Sequence, residues 1–202
     1  VSMPKLREGS LKSRVVVHNT VFWGNGGQAA ALLLNGADAL ISKSAFVFNN
    51  GALHQARGPY SGGAIRAAGN SNVTIQNTRV AHNSATHGSG ITCWDSVLDV
   101  DNLVCEQNAA EVSSACMSVG NFLARTSDEA SLPAPQIRRT CNATIRNSAF
   151  LGNVAQRGAV GALGVFGSSH ALVKNTSFSA NFASVTGGVF VSTHSKFDCH
   201  QC

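Results

Sequence analysis

Apolar side chains in this chain recur in short alternating runs rather than at helical spacing. In NVTI (72–75), Val73 and Ile75 fall on one face and Asn72 and Thr74 on the other, the two-residue period of a β-strand. The runs belong to one phrase, apolar-x-Asn-x-x-apolar-x-x-Asn, met six times: VHNTVFWGN (17–25), ISKSAFVFN (41–49), IQNTRVAHN (75–83), VDNLVCEQN (100–108), IRNSAFLGN (145–153) and VKNTSFSAN (173–181). After each copy a loop leads into a second apolar phrase, usually opened by glycine: GGQAAALLL, GGAIRAA, GSGITCW, SSACMSV, GAVGALGVF and GGVFVST. A partial seventh copy begins at KFDCHQC (196–202).

The closing asparagines Asn25, Asn49, Asn83, Asn108, Asn153 and Asn181 lie 24, 34, 25, 45 and 28 residues apart. A unit of about 25 residues with loop insertions at 50–63 and 120–141 explains both the short and the long gaps. Three short strands per unit predict an all-β, single-stranded parallel β-helix of about six coils, each strand pairing with its counterpart about 4.8 Å away. The whole chain, 1–202, reads as one such domain.

Stacking the units predicts inward ladders. Phe22, Phe46, Val80, Cys105, Phe150 and Phe178 form one, and Val17, Ile41, Ile75, Val100, Ile145 and Val173 a second. Ile65, Ile91, Cys116 and Val189 are expected to form much of a third, with Leu33 and Leu163 nearby. Asn19, Asn77, Asn102, Asn147 and Asn175, a series broken by Lys43, are expected at a sharp corner, because asparagine tolerates the left-handed backbone. The closing asparagines are expected to make a second such column, their stacked amides bonding from coil to coil.

Composition changes this picture little. Charged residues are 12% of the 202, well below the roughly 25% usual for soluble domains, and Ser, Thr and Asn supply the missing polarity. The net charge of +5 is scattered, so no basic stripe with aromatic platforms argues for nucleic acid. The longest apolar run, AAALLL (29–34), is far short of the roughly 20 residues of a membrane span.

The pairing of Phe-x-x-Asn with Gly-Gly-Ala-apolar resembles the repeat of the chlamydial polymorphic outer-membrane proteins, and of large extracellular proteins of bacteria and algae within the pectin-lyase-like β-helix class. FWGN, FLGN and FSAN match the first half, GGAI (62–65) the second, and GGVF is close; VAHN, CEQN, GSGI and SSAC are degenerate. The resemblance runs through nearly the whole chain. It implies a right-handed β-helix serving as a surface adhesin or structural passenger, and carries no catalytic residues.

Candidate chemistry is sparse. Asn72, Asn142 and Asn175 open Asn-x-Ser/Thr sequons. Asn72 and Asn142 start strand one facing outward and are expected to carry glycan in a secreted eukaryotic protein; Asn175, in the corner column, is the weakest candidate. Of the six cysteines, Cys105 replaces Phe in a core ladder and reads as a small buried apolar residue. Cys93, Cys116, Cys141, Cys199 and Cys202 are disulfide candidates; a Cys116–Cys141 bridge would close the longer insertion, and Cys93 competes for the same partner. CHQC (199–202) is a single doublet, so no metal and no cofactor are expected.

A carbohydrate-active enzyme would need paired carboxylates, or a base beside Ca²⁺-binding acids. Only Asp95, Asp99 and Asp101 lie close together, and His87 in THGSG stands without such acids, so no catalytic residue is assigned. The sequence predicts an extracellular structural or assembly glycoprotein module. Its open ends continue into further chain or stack on other copies into a fibre or surface layer. The alternative is an adhesin binding a protein or glycan through lateral loops, with HQARGPY (54–60) the best loop.

Overall fold

The computed structural model describes residues 12–27, 31–51, 63–120, 140–158, 160–192 and 194–202. Those residues form strands and turns with no helix, and every strand pairing among them is parallel. They build one 11-stranded and two 6-stranded sheets. The chain visits the three sheets in turn and returns to the first beside its previous passage.

The first sheet is traced by Ser13–His18, Ala37–Ser42, Asn72–Ala81, Ser96–Glu106, Cys141–Arg146, His170–Lys174 and Lys196–His200. Its register pairs Val17 with Ile41, Ile41 with Ile75, Ile75 with Val100, Val100 with Ile145 and Ile145 with Val173. Past a bend, the same sheet pairs Phe22 with Phe46, then Val80, Cys105, Phe150 and Phe178 in order. Both inward ladders are therefore continuous. Phe22 stacks on Phe46 with ring centroids 4.6 Å apart, and Phe150 on Phe178 at 4.9 Å.

The third ladder differs from expectation by one position in two rungs. It runs Leu32, Ile65, Ile91, Met117, Leu163, Val189. Met117 and Leu32, not Cys116 and Leu33, hold the paired places in the ladder, and Cys116 is buried just before it. The phrase SSACMSV lacks the glycine that marks the register elsewhere, so the apolar pair Cys116-Met117 is ambiguous by alternation alone.

Each rung also holds a short fourth extended segment, such as Ser84–Ala85 or Ala109–Ala110, which the count of three strands omitted. These two-residue pairs form their own sheet. Their inward positions include Ala85, Ala110 and Ala155, all buried, so the chain turns tightly there without room for larger side chains. Close approach also explains Gly90. A Cβ on it would run into the Cys116 carbonyl and lie 3.3 Å from Cys105 Sγ.

Candidate functional site

Two corners shape the lateral surface, and each is an array repeated rung by rung. At the first, Asn19, Lys43, Asn77, Asn102, Asn147 and Asn175 all have left-handed φ, between 46° and 54°. Their side chains are exposed. Asn102 donates to Asn77 Oδ1 at 2.7 Å, Asn175 to Asn147 Oδ1 at 2.8 Å, and Asn147 to Asp101 Oδ1 at 2.8 Å. The next residue in most rungs is Ser or Thr. The hydroxyls of Thr20, Ser44, Thr78, Ser148 and Thr176 donate to the carbonyl two residues back. Ser44 and Ser148 also accept the amide of the neighbouring rung. The dyads NT and NS are the sequence signal of this hydroxyl column. The bend leaves two shallow depressions of about 390 Å³ each, meeting at Asn102.

At the second corner the left-handed place belongs to the residue before each closing asparagine: Gly24, Phe48, His82, Gln107, Gly152 and Ala180. The closing asparagines are therefore not the left-handed column. They turn into the protein, and Asn49, Asn83, Asn108 and Asn153 are fully buried. Asn83 shows the pattern. Its Nδ2 donates to Phe46 O and to Asn108 Oδ1, both at 2.9 Å, and its Oδ1 accepts from Asn49 N and Asn49 Nδ2, both at 2.9 Å. A buried amide can sit in an apolar stack because its two donors and its acceptor are all used.

Large apolar side chains stand outside this second corner. Phe48 (φ 57°) is 54% exposed and stacks on His82, with centroids 4.8 Å apart. Trp23, 69% exposed, precedes Gly24, the residue one rung away from Phe48. The ladders read from the sequence take Phe22 and Phe46 and leave their neighbours unassigned, so neither was singled out.

The cysteines form three disulfides: Cys93–Cys141, Cys105–Cys116 and Cys199–Cys202. Of the candidate partners left open by the sequence, Cys141 takes Cys93 rather than Cys116, and Cys105, read as a small buried apolar residue, is bonded to Cys116. Cys105, in the strand Ser96–Glu106, meets Cys116, in the bend just before Met117–Val119, with Cα atoms 6.1 Å apart. Cys141 pairs in register with Ser96, three residues past Cys93, which puts Cys93 within reach at 5.9 Å. Disulfides of this kind mark an oxidising environment.

The titratable groups are dispersed and engaged. Asp99 meets Arg146 at 2.9 Å, Asp101 accepts from Asn147, and Glu106 pairs with Arg79 at 2.6 Å. His170 Nε2 and Asp198 Oδ2 are 2.9 Å apart, with Lys196 3.2 Å from the same oxygen. The hydrogen bond from His170, then that from Lys196, holds the Asp198 carboxyl below its usual range. Burial pushes the pKa of His87 down, partly offset by Glu111. Among the described residues no three His, Cys, Asp or Glu side chains gather closely enough to share a metal ion, and no helix is long and apolar enough to cross a membrane.

Asn72 and Asn142 are exposed on the outer face of the first sheet, in one column on either side of Val97. Asn72 donates to Asp38 Oδ1 at 2.9 Å. Asn175 is also exposed, its amide spent on Asn147. The loop 54–60 and most of both insertions lie outside the described residues. Comparison with family models, curated proteins and solved structures finds no match to this chain.

Proposed function

We propose that the chain is a right-handed, single-stranded parallel β-helix acting as an extracellular structural or assembly module. The proposed unit takes in residues 1–202. The right hand follows from the strong preference of parallel crossover connections for it, and from the resemblance of the Phe-x-x-Asn phrase to the chlamydial outer-membrane repeat. Three disulfides favour a secreted or cell-surface location.

The observation that carries this reading is the asparagine ladder. It runs unbroken from Asn25 to Asn181, and its two ends are complementary. Among the described residues, Asn25 Oδ1 has no ladder donor and Asn181 N–H no ladder acceptor. In an end-to-end stack of copies, Asn181 of one copy would donate to Asn25 Oδ1 of the next, as each rung does within the ladder. The acids nearest to a catalytic arrangement are spent on Arg146 and Asn147, which favours structure over hydrolysis. Glycans on Asn72 and Asn142 would project from the first sheet and keep its polar face in water.

Electron microscopy of the purified chain over a range of concentrations tests the assembly role. Rods that lengthen by end-to-end joining are expected. Single rods of constant length at every concentration would contradict it. A second reading, a surface adhesin, is favoured by the aromatic side chains outside the second corner.

A further inference from the structure

The first corner has a seventh copy, and that copy carries two cysteines. Cys199 pairs in register with Val173, so it continues the inward series that runs from Val17 to Val173. Gln201 has the left-handed backbone of the corner, φ 57°, beside 46° at Asn175. His200 O accepts the Asn175 N–H at 2.9 Å, as Lys174 O accepts that of Asn147 at 3.1 Å. Cys199 and Cys202 therefore hold the places of Val173 and Thr176 one rung earlier, and of Ile145 and Ser148 before them. Those rungs make the same turn with no covalent link, so the turn does not require the Cys199–Cys202 bond.

The three disulfides differ in access and in reach. Cys93, Cys105, Cys116 and Cys141 are buried, whereas Cys199 and Cys202 are exposed. Exchange requires a thiolate to reach a sulfur, and of the three bonds only this one admits it. The two buried bonds close sequence separations of 48 and 11, and the exposed one a separation of 3. It removes the least freedom from the unfolded chain, so opening it costs the fold least. The reduced form also has a place ready. Cys202 Sγ lies 3.9 Å from Val173 O, which can accept a thiol proton.

From this geometry we infer that Cys199–Cys202 is a thiol–disulfide exchange site whose substrate is an external thiol. The external thiolate attacks Cys199 Sγ. A bond forms between those two sulfurs and the Cys199–Cys202 bond breaks. Cys202 leaves with the electron pair and takes a proton, facing Val173 O. A second external thiolate attacks the external sulfur of the mixed disulfide, and Cys199 leaves and is protonated in turn. Two external thiols become one disulfide, and one bond in the protein becomes two thiols. The steps run backward with an external disulfide as oxidant, because the turn keeps the two Cα atoms, 6.2 Å apart, within bonding reach. The site is independent of the assembly role.

The intact oxidised chain is held in glutathione buffers of graded thiol-to-disulfide ratio, then acid-quenched, alkylated and peptide-mapped. Cys199 and Cys202 should be labelled at least about tenfold faster than the other cysteines, with a mixed disulfide trapped on Cys199 at early times. Curves approached from the oxidised and from the selectively reduced chain should coincide, and circular dichroism should stay unchanged. A parallel arm uses a thioredoxin-type protein dithiol. Opening by glutathione assigns a small thiol, opening by the protein dithiol alone assigns a protein thiol, and both support exchange. The Cys199→Ser/Cys202→Ser variant should lose the fast labelling and keep the parent's guanidinium unfolding midpoint. Equal labelling rates at every cysteine, or no opening by either thiol in the folded chain, would overturn the inference. A variant that unfolds well below the parent would overturn it too, by making the bond a structural staple.

Discussion

Replacing Asn83 by alanine should be among the most damaging single changes available in the stack. The substitution removes the acceptor of two buried donors, Asn49 N–H and one Asn49 Nδ2–H. It also removes the donor that serves Phe46 O. Asn108 Oδ1 keeps a bond from the backbone of residue 83, so the loss there is partial. Each orphaned buried donor costs about 1–3 kcal/mol, which puts the total near 4 kcal/mol, with a range of roughly 2–6. The same change at Asn181 deletes the same kinds of bond, to Phe150 O and from Asn153. Asn181 is only half-buried, however, and water can reach these groups in part, so a smaller cost of about 1 kcal/mol is expected. Guanidinium unfolding with the disulfides intact, followed by circular dichroism and by Trp94 fluorescence, measures both. Equal costs at the two positions would refute the claim that burial gives the ladder its weight.

Non-reducing peptide mapping should recover Cys93–Cys141, Cys105–Cys116 and Cys199–Cys202, and a Cys116–Cys141 peptide would reject this pairing. Removing the first bridge, which spans 48 residues, should cost about 4 kcal/mol, and the second, spanning 11, about 3 kcal/mol. Gly90→Ala should destabilise by about 1–3 kcal/mol through collision with the Cys116 carbonyl, seen as a lower unfolding midpoint; an unchanged midpoint would show that the rungs can move apart. Because the Asp198 carboxyl titrates below its usual range, its contribution is complete above about pH 4 and is lost as pH falls through the lower folded value. Amide exchange in Lys196–His200 should therefore gain relative to the rest of the stack in acid, and His170→Ala should reduce the difference, leaving the part owed to Lys196.

Much of the fold was legible because a parallel stack writes its register into the sequence. Each rung repeats the same inward and outward choices, so Phe46, Val80 and Cys105 align by phrase alone, insertions notwithstanding. Legibility failed where two neighbouring residues could exchange roles. Cys116 and Met117 are both apolar, and only the closed backbone shows which one enters the ladder. Asn and the residue before it can both serve a corner. The second corner gave the left-handed place to Phe48, His82 and Gln107 because the buried asparagine was worth more inside, with every hydrogen bond made. Disulfide partners depend on distances across the interior, which a one-dimensional period does not encode. The exposure of Phe48 was hidden for a related reason: it lies two residues from the core Phe46, and only the corner geometry turns it out.

The central claim is rung-upon-rung parallel pairing in this register. Scalar couplings across hydrogen bonds, read in a long-range HNCO experiment, test it directly. The structure predicts cross-peaks from the Asn49 carbonyl to the Ser84 amide, from Asn83 to Ala109, and from Asn108 to Val154. Correlations in that order would establish the stack residue by residue. Couplings that pair these carbonyls with amides of their own rung, or in antiparallel order, would contradict it.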